Sequence, residues 1–96
     1  MSKRRFDNVW DAIEGSPNEA ASMRARAELM NAIIEFIRKQ GLTQAEAAKR
    51  LGVTQPRISD LMRGKIDLFS LDTLFDMLAL AGRRVDIKVK RESTAA

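Results

Sequence analysis

Apolar residues follow two rhythms along the chain, and the point where one replaces the other divides it. Between residues 17 and 40, Met23, Ala27, Met30, Ile33, Ile34 and Ile37 recur at helical spacing, with Leu29 and Phe36 widening the stripe. Ser16 suits a helix cap and Pro17 a first turn, so the pattern predicts one long helix ending at Gly41. Thr43-Gln44-Ala45-Glu46 has the form of a capping box, which opens a second helix with Ala47, Ala48 and Leu51 on one face and Gly52 at its end. Thr54 caps a third, with Pro56 tolerated in its first turn, Ile58, Leu61 and Met62 facing inward, and Gly64 closing it. Ser70 caps a fourth, carrying Leu71, Leu74, Phe75 and Leu78 as far as Gly82.

After Gly82 the period drops to two. Val85, Ile87 and Val89 alternate with Asp86, Lys88 and Lys90, the pattern of a half-buried strand. No second stretch of this kind exists to pair with it, so backbone hydrogen-bond accounting points to the same strand of a second copy across a two-fold axis. A frayed tail with accidental alternation is the competing expectation. The chain therefore divides into a front segment at 1–16, a helical domain at 17–82, a dimerisation strand at 83–92 carried by Val85, Ile87 and Val89, and a disordered tail at 93–96.

Composition narrows the function. Ninety-six residues suffice for one domain and one core, and no apolar run approaches the roughly 20 residues that span a bilayer, so a cytoplasmic, non-membrane protein is expected. The front of the chain has no signal-peptide pattern. Cysteine and histidine are both absent, which removes disulfides, thiolate metal sites, the commonest metal ligand and the usual general base near neutral pH. An enzyme is not expected, nor a cofactor.

The net charge of +4 conceals an asymmetry: residues 6–19 contain Asp7, Asp11, Glu14 and Glu19 without a Lys or Arg, leaving that piece at −4 and the remainder at +8. A basic body favours phosphate contact.

"LTQAEAAKRLGVTQPRISDLMRGK", residues 42–65, sets two short helices about a tight turn at Gly52 and opens the second with polar groups that no core requires. Through Gln44, Ala48, Gly52, Val53, Gln55, Ile58 and Leu61 it resembles the Cro/cI-like (XRE) helix-turn-helix family over about 29–81. The resemblance implies an all-α, lambda repressor-like helix-turn-helix bundle; with the C-terminal β-strand paired across a homodimer, that is the expected fold. It also implies double-stranded operator DNA as a partner, with the second helix of the motif in the major groove. Carried onto this chain, Gln44 binds a phosphate, Gln55 reads adenine and Arg57 takes either guanine or a phosphate, while Pro56 departs from the polar residue frequent in the family there and its apolar ring suits a thymine methyl. Ser59 and Asp60 reach bases further along, and Arg63 and Lys65 hold phosphates. Plainer roles stand beside these: Thr54 is chiefly a cap, Asp60 can pair with a neighbouring Arg, and Arg63 and Lys65 suit a helix C-terminus.

Phe6, Val9, Trp10 and Ile13 fall at i, i+3, i+4 and i+7, one apolar face on a segment too short to persist as a helix alone. It must dock, either on the body of the chain or on another protein. The whole layout, "FDNVWDAIEG" before a long helix, then the motif, then a terminal strand, looks like the HigA-type antitoxins. That resemblance implies a RelE-like ribonuclease toxin as partner, held by Phe6, Val9, Trp10 and Ile13, and repression of the pair's own operon. A repressor without a toxin is the alternative, and an adaptor that uses its helices only for protein contact is a third.

Overall fold

The computed structural model describes residues 17–91. Among them are four α-helices and one short 3-10 turn: α1 at Pro17–Gln40, α2 at Gln44–Leu51, α3 at Gln55–Met62, the turn at Ile66–Leu68, and α4 at Leu71–Leu80. The predicted helices thus form. Phe6, Val9, Trp10 and Ile13, and the tail at 93–96, lie outside the described residues. No described helix is long and apolar enough to cross a membrane.

Each short helix begins on a side-chain cap. The Thr43 hydroxyl accepts from the Glu46 amide at 3.1 Å while the Thr43 amide donates to Glu46 Oε1 at 2.8 Å, completing the capping box. Thr54 accepts from the Arg57 amide at 3.3 Å, and Ser70 from the Thr73 amide at 3.1 Å. Just before each cap stands an apolar residue, Leu42, Val53 or Phe69, and four residues after it stands a buried one, Ala47, Ile58 or Leu74. These are the positions of a hydrophobic staple, which fixes the angle at which the chain enters each helix.

The core gathers Met30, Ile33, Phe36 and Ile37 of α1, Ala47, Ala48 and Leu51 of α2, Ile58 and Leu61 of α3, and Leu74, Met77 and Leu78 of α4. α1 packs along α4, and α2 against α3. Small Ala47 and Ala48, both buried, allow that second pair to approach closely. Gly52 makes the turn between them. Its φ of 73° is left-handed, its amide donates to the Ala48 carbonyl, and a Cβ on it would stand 2.9 Å from Leu80 Cδ1.

Among the described residues, 85–90 form no strand and no other extended segment of the single chain lies beside them, and pairing with a second copy is a property of two chains. The alternation still shows locally: Arg84 Nε donates to Asp86 Oδ1 at 3.0 Å, as residues two apart on one face of an extended chain can. On the other face Val85 is half-buried against the core, while Ile87 is 70% and Val89 94% exposed. Met23, assigned by spacing to the stripe of α1, is exposed, since the core begins only at Met30. The sequence pattern also passed over Phe69 and Met77, both buried.

Candidate nucleic-acid interface

The helix-turn-helix presents two helix N-termini with polar side chains at their first positions. α3 is fastened from inside by Ile58 and Leu61, neither of which retains solvent exposure. With that face committed, Gln55 and Pro56 are exposed in the first turn, and Ser59 and Asp60 follow one turn later, half-buried. Arg63 ends the helix, its amide on the Ser59 carbonyl at 3.1 Å, and the exposed Lys65 follows with its amide on the Asp60 carbonyl at 3.1 Å. Gln44 occupies the first position of α2, exposed, beside amides that the Thr43 cap leaves open. Helix N-termini of this kind favour an anion such as phosphate.

Thr54 functions as the cap the sequence indicated. Arg57 is half-buried and differs from its neighbours: Nη1 donates to the Leu68 carbonyl at 3.2 Å, and the guanidinium carbon lies 5.5 Å from the centroid of the Phe69 ring. The 3-10 turn is also held by α1, where Arg26 Nη1 donates to the Ile66 carbonyl at 3.2 Å. Sequence reasoning missed this turn. Phe69 immediately before the Ser70 cap was the available signal, because that is a staple position.

No polar or charged side chain among the described residues is buried, so every described cation reaches solvent. Positive charge also collects away from the start of α2: Arg50, in its last turn, and Arg83, beyond α4, lie 5.2 and 5.3 Å from the centroid of the Phe36 ring. Cations there complement helix C-termini. The described residues contain no group of three or more His, Cys, Asp or Glu arranged to hold a metal.

The dimerisation candidates border a groove beside α1 and α4 of about 420 Å³, where Val85 and Ile87 face Leu29, Leu71 and Phe75. The groove and the exposed Val89 beyond it leave apolar surface open on this side.

A family model described as a helix-turn-helix domain matches residues 13–90. Among solved structures, a chain named as an XRE family transcriptional regulator is 29% identical, with a TM-score of 0.72 over 81% of this chain and 88% of that one. No curated protein matches.

Proposed function

The chain belongs to the helix-turn-helix domain family, and on that premise we propose that it is an XRE-type, sequence-specific DNA-binding regulator that serves as an antitoxin, neutralising a RelE-like ribonuclease toxin and repressing its own operon. The observation that carries the DNA-binding half is the outward face of α3. Gln55 and Pro56 project from a helix whose opposite face is immobilised by Ile58 and Leu61, and the exposed Gln44 opens α2. A major groove gives those groups a use: the Gln55 amide matches adenine N6 and N7, and Pro56 matches a thymine methyl. Ser59 and Asp60 face the bases beyond, while Gln44, Arg63 and Lys65 hold phosphates and fix the register.

The antitoxin half is supported by the front segment. Phe6, Val9, Trp10 and Ile13 make an apolar anchor within a stretch of charge −4, suited to the surface of a basic RNA-cleaving protein. Two copies joined through Val85, Ile87 and Val89 would present two recognition helices to a palindromic operator with half-sites roughly 34 Å apart. A regulator without a toxin is the second reading, favoured by the name of the matching solved chain.

Affinity capture separates the two. The intact chain should hold a small basic ribonuclease from its own cells, and a Phe6→Ala/Trp10→Ala variant should lose it while keeping its operator. If neither chain holds such a protein and both retain the operator, the protein is a repressor alone.

A further inference from the structure

Among the candidate contact residues of α3, Arg57 is the one whose side chain already has protein partners within the described residues. Those partners are Leu68, the last residue of the 3-10 turn, and Phe69, which follows it and is buried. Arg26 of α1 holds the first residue of the same turn through the Ile66 carbonyl, 40 positions away in the chain. The turn itself is slight, with Leu68 N–H on the Lys65 carbonyl at 3.1 Å and Phe69 N–H on the Ile66 carbonyl at 3.2 Å. Three residues of 3-10 geometry hold poorly without outside support. Two guanidiniums from two helices supply it, one at each end.

We infer that Arg57 is a positioning residue rather than a reader of bases: with Arg26 it clamps the turn between α3 and α4, and so sets where Lys65 stands against the DNA backbone. Reading guanine requires two N–H groups of one guanidinium in the plane of the base pair. In Arg57, Nη1 is occupied by the Leu68 carbonyl and the group lies over the Phe69 ring, so its orientation answers to the turn. This rests on the DNA-binding role proposed above.

The test pairs operator binding with amide hydrogen exchange of the free protein, for Arg57→Ala, Arg57→Lys and Arg26→Ala. Loss of one charge-assisted hydrogen bond and one ring contact should weaken binding by Arg57→Ala about tenfold. The factor should be the same for the operator and for each of its single-base variants. Arg26→Ala, outside the motif, should weaken binding in the same uniform way, and Arg57→Lys should recover part of the loss. Exchange at Leu68 and Phe69 should quicken in both alanine variants, while core amides such as Ile33 and Leu61 stay protected and show the fold intact. A loss confined to one base pair would overturn the inference, as would quickened exchange with unchanged affinity, or no change in either. If the unaltered protein bound no duplex at all, the DNA-binding role would fail, whereas exchange would still report whether the clamp exists.

Discussion

Replacing Gly52 by alanine should destabilise the domain through two separable effects. The first is conformational: at a φ of 73° an alanine Cβ crowds the following carbonyl, a cost of about 1–2 kcal/mol. The second is steric, because the new Cβ would lie 2.9 Å from Leu80 Cδ1. Leu80 is 55% exposed and the clashing atom is the end of its side chain, so it can rotate away at a cost of about 0.5–1.5 kcal/mol if it leaves its rotamer. Gly64 isolates the first effect, since its φ is 74° and an added Cβ meets nothing within 4 Å. Urea denaturation of Gly52→Ala, Gly64→Ala, Leu80→Ala and the Gly52→Ala/Leu80→Ala double variant measures each effect. Gly64→Ala should cost about 1–2 kcal/mol, Gly52→Ala about 0.5–1.5 kcal/mol more, and the double variant should lose that excess. On a domain of this size each kcal/mol lowers the melting temperature by about 4–8 °C. A neutral Gly52→Ala would refute the left-handed constraint. Complete rescue by Leu80→Ala would show that the contact, and not the backbone, makes the glycine necessary.

Three further outcomes follow from the same physics. Thr43→Ala removes the hydroxyl that caps α2 and should cost about 1 kcal/mol in chemical denaturation, with Thr43→Ser recovering most of it. Ile58→Ala empties a fully buried position that fastens α3 and should cost about 2–5 kcal/mol, read as a lower denaturation midpoint with an unchanged slope. Deleting residues 84–96 should turn a dimer into a monomer in analytical ultracentrifugation, and an unchanged dimer would remove Val85, Ile87 and Val89 from the interface.

The parts of this fold that were legible in the sequence are those decided locally. A cap needs only a hydroxyl and an amide three residues on, so Thr43, Thr54 and Ser70 could be placed without any tertiary knowledge, as could the left-handed turn at Gly52. The buried faces of α2 and α3 followed from spacing alone. What escaped depends on residues far apart. Arg26 meets Ile66 across 40 positions, and Arg57 meets Leu68 through a turn with no strong local signature, so neither bond is written in a periodic pattern. The stretch at 85–90 lies between these cases: alternation reports which face each side chain takes, but a strand also requires a neighbour, and the single described chain, as its sequence indicated, supplies none. In the candidate interface, exposure of Gln44, Gln55 and Pro56 was expected from their polarity or position, whereas the engagement of Arg57 with its own fold was not.

Sequence-specific contact by α3 can be read out by selection from a pool of randomised DNA duplexes. The unaltered protein should enrich a two-fold symmetric site, and Gln55→Ala should bind that site about 1–3 kcal/mol more weakly while losing its preference for adenine at one position in each half. Enrichment of no sequence, or a Gln55→Ala variant that selects the same bases as the unaltered protein, would contradict it.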